Sequence, residues 1–200
     1  MDCSTLKKQV RAQVLGLCQC MSNADRYADQ QAIYQQFFSL PEFMHSHTVL
    51  AYASCLHEID TYPLLSLCLE MKKTLLLPKV DMKNRQLLLF QIQSLEKDLV
   101  SGYANILEPA KHCLPYADNA PIDLIIIPAV AFSLSGQRLG RGMGFYDRFL
   151  PTHPESKKIG LAYKQQIVDA LPVEKHDHPI DLLVSPDRIV NFDDQVPAHE

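Results

Sequence analysis

Apolar residues over the first forty positions recur at the three-, four- and seven-residue intervals of amphipathic helices. With Ser4 as its cap, the first helix carries Leu6, Val10, Val14 and Leu17 on one face. A second is predicted from Asn23 or Asp25, turning Ala28, Ala32, Ile33, Phe37 and Phe38 inward until Pro41 stops it. The texture then changes. Residues 47–52 and 74–78 read as strands flanking an apolar helical stretch over 62–71, which makes a βαβ unit. Further strands are predicted at 87–92, 123–128, 158–163 and 181–185. Several are continuous Leu/Ile/Val runs, the pattern of strands covered on both faces. The predicted fold is therefore α/β: a single-domain, open, mainly parallel sheet with helices on both faces, a Rossmann-like three-layer arrangement. The domain is expected to span 1–192, with 193–200 a loose tail. Phe37, Phe38, Phe43 and the run Leu75, Leu76, Leu77 are core candidates.

Composition narrows the function more than the fold. A chain of 200 residues, 47% hydrophobic and 21% charged, suits one soluble globular core. Its formal net charge of −4 supplies no positive field for nucleic acid or an anionic membrane, so neither is expected as a partner. The best apolar run, 124–132, is short and broken by Pro128, far from a membrane span. No secretory leader is legible at the start, which points to the cytoplasm. There, Cys3, Cys18, Cys20, Cys55, Cys68 and Cys113 read as small buried hydrophobes rather than disulfide partners. Cys18 and Cys20 have the wrong spacing for a zinc knuckle, and the eight histidines form no H-E-x-x-H pattern, so neither structural nor catalytic zinc is expected.

Glycine carries the strongest chemical signal. The chain has only seven, yet Gly136, Gly140, Gly142 and Gly144 fall within nine positions. Residues without a Cβ let successive backbone N–H groups approach an anion. Phe145-Tyr146-Asp147-Arg148-Phe149-Leu150 follows as a candidate first helical turn, and Arg138 and Arg141 add charge suited to phosphate oxygens. Asp147 stands where a carboxylate can hold Mg²⁺ against a polyphosphate. The stretch is neither a Walker loop nor a G-x-G-x-x-G fingerprint, and by spacing alone a glycine-rich turn with two solvated arginines explains it equally well.

The ordered array is more specific. Pro128-Ala129-Val130-Ala131-Phe132 followed by Gly136-Gln137-Arg138-Leu139-Gly140-Arg141-Gly142-Met143-Gly144-Phe145-Tyr146-Asp147-Arg148 closely resembles the signature of the 5-formyltetrahydrofolate cyclo-ligase family, also called 5,10-methenyltetrahydrofolate synthetases. Weaker echoes extend over nearly the whole chain: Lys7 and Arg11, Glu58-Ile59-Asp60-Thr61, Leu77-Pro78, Glu108-Pro109, Leu161-Ala162-Tyr163 with Gln166, Leu171-Pro172, and His176-Asp177 before Asp181. Ala129 stands where the family often has Gly, Ser133 where it often has Asp, and Phe145 where Tyr is common.

The resemblance implies an ATP-dependent cyclisation of 5-formyltetrahydrofolate to 5,10-methenyltetrahydrofolate, with ADP and phosphate released and Mg²⁺ as cofactor. Arg138 and Arg141 are the implied catalytic cations. Lys7, Lys8, Arg11, Arg138, Leu139, Gly140, Arg141, Gly142, Met143, Gly144, Phe145 and Tyr146 would bind ATP. Arg11, Ala53 and Glu58 would bind the folate, and Asp147 and Asp177 the metal. Taken without the resemblance, Lys7 and Arg11 are a solvated helical stripe, Glu58 an exposed loop carboxylate and Asp177 a polar loop residue. His57 is read as a loop imidazole, since no Ser or Cys completes a nucleophilic set around it. A monomer or weak homodimer is expected. Two other classes stay open: a non-catalytic folate or nucleotide binder, and an enzyme of the same architecture acting on a sugar phosphate or CoA ester.

Overall fold

A computed structural model describes residues 2–55, 58–102, 106–117 and 120–193. Three helices open the chain: α1 (Cys3–Gln19), α2 (Asn23–Phe38) and the short α3 (Pro41–His45). Next come β1 (Thr48–Leu50), α4 (Tyr62–Glu70), β2 (Thr74–Asp81), β3 (Gln86–Ile92), β4 (Leu99–Ser101), β5 (Leu107–Pro109), β6 (Leu124–Ile127), β7 (Ala131–Ser133) and β8 (Arg138–Leu139). The chain continues through α5 (Phe145–Phe149), β9 (Lys157–Leu161), β10 (Ile167–Val168), β11 (Leu182–Val184) and β12 (Ile189–Asn191).

The main sheet runs β12-β11-β9-β6-β1-β2-β3. Its five inner strands are parallel, and β3 and β12 close the edges in antiparallel sense. Continuous apolar runs bury both faces because neighbouring side chains alternate across the sheet. Val49, Leu75, Leu77, Leu124 and Ile126 meet one core, whereas Leu50, Leu76, Ile125 and Ile127 meet the other. Ile33 and Phe37 of α2, Phe43 of α3 and Leu64, Leu65 and Cys68 of α4 cover the first face. The second face is roofed by Phe132 of β7, Leu150 just after α5, Ile180 and Phe192, with Tyr146 and Phe149 of α5 packed alongside. A Cβ at Gly160 would lie 2.4 Å from Phe132 Cε1, so β9 has glycine where that ring presses on the sheet. Each large side chain fully buried in this way stabilises the fold by about 1.5–3 kcal/mol.

Several local expectations change. Asp2, not Ser4, caps α1, accepting from Thr5 N at 2.7 Å. Leu6 and Leu17 are exposed, and Lys7, Val14 and Cys18 are the buried residues of α1. The helix is rotated because it packs on the three-stranded sheet β10-β7-β8, against Val130, Ala131 and Leu139, rather than on the main sheet. Ser22 caps α2, and Phe38 is only partly buried. Pro41 lies in the first turn of α3, where its missing N–H is not needed. The predicted strand at 87–92 is antiparallel, returning from β2 through a turn in which Asp81 Oδ1 accepts from Lys83 N and Asn84 N. The ribbon β4-β5 and the sheet β10-β7-β8 were not foreseen. Among the described residues, no helix is long and apolar enough to cross a membrane. His57 and residues 194–200 lie outside the described residues.

Candidate active site

In open α/β sheets, ligands sit beyond the carboxyl ends of the strands, where the connections diverge to opposite sides. Here β1 is that strand: the chain proceeds from it to β2 on one flank and later returns to β6 on the other. A cleft of about 320 Å³ opens at this point. Tyr52, Ala53 and Glu58 enter it from the segment after β1, Pro128 from the end of β6, and Gly140, Arg141, Met143, Gly144, Phe145, Tyr146 and Asp147 from the glycine loop and α5. Pro78, Val80, Met82, Leu87, Ile106 and Leu107 supply an apolar wall from the β2-β3 hairpin and the start of β5.

Strand β8 leads into the glycine loop, and its first residue carries the buried cation. Arg138 Nη2 donates to Asp147 Oδ1 at 2.5 Å, with the arginine side chain only 2% exposed. Burial pulls the Arg138 pKa below its ordinary value, against the opposing pull of Asp147. Among the described residues, neither Arg138 Nε nor the buried Tyr146 hydroxyl has a hydrogen-bond partner. Both atoms retain capacity for a ligand. Burial also raises the Tyr146 pKa, so the phenol stays protonated.

Beyond β8 the loop is held from three sides. Arg11 Nε donates to Gly140 O at 2.7 Å, and a Cβ at Gly142 would lie 3.5 Å from the Arg11 guanidinium carbon. Gly142 has φ +102° and Gly144 φ +65°, backbone that favours glycine. Arg148 donates to Met143 O at 3.0 Å and to Arg85 O at 2.8 Å, pinning the loop to the β2-β3 turn. Arg141 Nη2 donates to Glu58 Oε1 at 2.7 Å and also meets the Cys55 thiol. Glu58 Oε2 accepts from Cys55 N at 3.0 Å. Burial opposes the charge on Arg141, but Glu58 and Cys55 outweigh it and raise its pKa.

Ten of the sequence-predicted site residues share the cleft: Ala53, Glu58, Arg138, Gly140, Arg141, Met143, Gly144, Phe145, Tyr146 and Asp147. The others lie around it. Leu139 is buried beneath the loop, which leaves its backbone alone for a nucleotide. Gly142 lies in the loop facing Arg11, which braces the loop from α1, and Lys8 is exposed. Lys7 Nζ donates to Asp177 Oδ2 at 2.5 Å and Glu174 Oε2 at 2.8 Å. Burial disfavours the Lys7 charge, yet these two carboxylates more than offset it and raise its pKa. Glu174 escaped sequence reading. So did the apolar wall, although Leu77-Pro78 and Glu108-Pro109 were visible in the array that borders it.

Asp147 and Asp177 offer the hard oxygen donors that Mg²⁺ prefers. They are neighbours through His178, whose N donates to Asp147 Oδ1 at 3.4 Å one residue beyond Asp177. Each also faces a cation, Arg138 or Lys7, that can share a phosphate with the metal.

The family model described as "5-formyltetrahydrofolate cyclo-ligase family" matches residues 3–186. The chain is 35% identical over 210 residues to the mitochondrial 5-formyltetrahydrofolate cyclo-ligase of Arabidopsis thaliana, covering 92% of this chain and 75% of that protein. It is 34% identical over 166 residues to the 5-formyltetrahydrofolate cyclo-ligase of Escherichia coli K12, covering 80% and 91%. Among solved structures, the 5,10-methenyltetrahydrofolate synthetase of Aquifex aeolicus aligns with a TM-score of 0.83 at 32% identity, over 98% of this chain and 97% of that one.

Proposed function

The chain belongs to the 5-formyltetrahydrofolate cyclo-ligase family, and we propose that it closes 5-formyltetrahydrofolate to 5,10-methenyltetrahydrofolate while converting ATP to ADP and phosphate in the cleft beyond β1. One observation carries this reading: Arg141 of the glycine loop and Glu58 of the β1 segment meet at 2.7 Å, so a phosphate-binding group and a pterin-binding group serve one pocket.

The formyl group on N5 is an amide, whose oxygen is a poor leaving group. Transfer of the γ-phosphoryl to that oxygen gives an iminium phosphate; N10 attacks its carbon and closes the ring, the N10 proton passes to solvent, and the C–O bond breaks to release phosphate and leave the methenyl amidinium. Such transfer depends on alignment and on stabilising developing charge. The backbone of 140–144 cradles the triphosphate, and Arg141 neutralises the transferring group. Buried Arg138 fixes Asp147 and keeps its unpartnered Nε as a donor for the ligand. Glu58 accepts paired hydrogen bonds from the amino-pyrimidinone edge of the pterin. The wall of Val80, Met82, Leu87 and Leu107 limits water that would hydrolyse the phosphorylated intermediate. Asp147 and Asp177 would hold Mg²⁺, which supplies positive charge at the phosphates. Lys7 and Arg11 support the nucleotide side, Arg11 by holding Gly140. A reducing compartment, the cytoplasm, suits a chain whose six cysteines form no disulfide.

The test is an absorbance assay. The purified chain with 5-formyltetrahydrofolate, ATP and Mg²⁺ should produce the near-ultraviolet band of the methenyl product together with an equal amount of ADP. Binding of both ligands without product would select the non-catalytic binder. Phosphoryl transfer that depends on a sugar instead of the folate would select the third class.

A further inference from the structure

We propose that Asp98, His112 and Cys113 form a second metal site, outside the cleft, that takes a borderline-soft divalent cation of the Zn²⁺ type. One donor atom from each lies within 4.8 Å of the others. Their chemistry is carboxylate oxygen, imidazole nitrogen and thiol sulfur, the mixed set that zinc accepts and Mg²⁺ does not.

The donors are pre-positioned by backbone bonds. Asp98 Oδ2 accepts from Gln93 N at 2.7 Å and Ser94 N at 2.9 Å, which fixes the carboxylate and leaves Oδ1 facing His112 Nε2 at 2.9 Å. Ala110 N donates to Asp98 O at 2.8 Å, and Cys113 N donates to Ala110 O at 3.1 Å. The turn that carries His112 and Cys113 is thereby fastened to Asp98, and the Cys113 thiol donates to Asp98 O at 3.4 Å. Asp98 and Cys113 are buried, whereas the His112 side chain is 63% exposed and gives an ion its entry. A tetrahedral ion would take the three side chains and one water.

Binding forms three bonds to the metal and breaks one S–H bond. The thiol proton passes to solvent, and neutral His112 keeps its proton on Nδ1 while Nε2 coordinates. Motif spacing hides such a site, because Asp98 lies 14 residues before the His-Cys pair.

Titration of the full-length protein with CoCl₂ tests this. The expected result is one tetrahedral Co²⁺ per chain, counted by its visible bands, with a near-ultraviolet thiolate-to-cobalt charge-transfer band. Excess MgCl₂ should leave the bands unchanged and ZnCl₂ should displace them. Cys113→Ser should abolish the charge-transfer band, and His112→Ala should weaken Co²⁺ binding by roughly tenfold or more. A missing band, a band that persists in Cys113→Ser, or displacement by Mg²⁺ would overturn the proposal. Should Cys113→Ser fail to fold, His112→Ala decides it, because its side chain is exposed; unchanged affinity there would equally overturn the site.

Discussion

Arg141 and Glu58 stand 83 residues apart in the chain, yet the guanidinium donates to the carboxylate at 2.7 Å across the mouth of the cleft. The fold brings them together because β1 and β6 are adjacent parallel strands, so the segments leaving their carboxyl ends converge. Removing each partner should injure a different substrate. Arg141→Ala should lower kcat by about 10²-fold, as loss of a transition-state charge donor does. Glu58→Gln, which keeps the shape and loses the charge, should raise KM for the folate by about tenfold and leave KM for ATP unchanged. Steady-state kinetics with each substrate varied in turn would show it. Equal effects on both KM values would remove the assigned division of labour.

Arg138 and Asp147 form an enclosed ion pair, with side chains 2% and 18% exposed. Arg138→Met would strand the carboxylate, and breaking such a pair costs about 3 kcal/mol. For a chain of this size that corresponds to a fall in Tm on the order of 10 °C. Differential scanning calorimetry would register it; an unchanged Tm would mean that the pair contributes nothing to the folded state.

The parallel sheet was legible because Leu75, Leu76 and Leu77 and the run from Leu124 are apolar without alternation, the pattern of strands buried on both faces. The face of α1 was not. Leu6 and Leu17 are apolar but exposed, while Lys7 is buried because Asp177 and Glu174, some 170 residues later, neutralise it. Periodicity sees hydrophobicity, and that contact is electrostatic and remote. Similarly, the glycine cluster located the loop, but the apolar wall opposite it comes from the β2-β3 hairpin, whose antiparallel return is a tertiary fact. Glu58 and Ala53 acquired a role only through the ordered resemblance, since a carboxylate after a strand is by itself ordinary.

Two glycine-to-alanine changes should behave oppositely. At Gly142, φ is +102° and the new Cβ would face the Arg11 guanidinium, so about 1–3 kcal/mol of strain enters the loop and kcat/KM for ATP falls. At Gly16, within α1, nothing lies within 4 Å of the new Cβ. That change should stabilise the protein by about 1 kcal/mol in urea unfolding with activity unchanged. Matching effects at both positions would contradict the strained-loop assignment.

The tether between Lys7 and its two carboxylates predicts a pH window. Burial raises the Asp177 pKa, but bonding from Lys7 and Glu174 N outweighs it, leaving the pKa below the usual 3.8. Lys7 is raised above 10.5. A depressed carboxylate stabilises above its unfolded value and loses that contribution as pH falls through its folded one. A raised lysine stabilises below 10.5 and loses its contribution as pH rises through the folded value. Lys7→Met should therefore destabilise by about 2 kcal/mol throughout the neutral range. The gap to wild type should narrow only in strong acid or strong base. Urea unfolding across pH would check this, and a gap independent of pH would count against the charged tether.

The chemistry itself can be followed by one label. With the formyl oxygen of the folate replaced by its heavy isotope, mass spectrometry of the phosphate released during turnover should find one labelled oxygen in each. Methenyl product formed alongside unlabelled phosphate would mean that the carbonyl oxygen never receives the phosphoryl group.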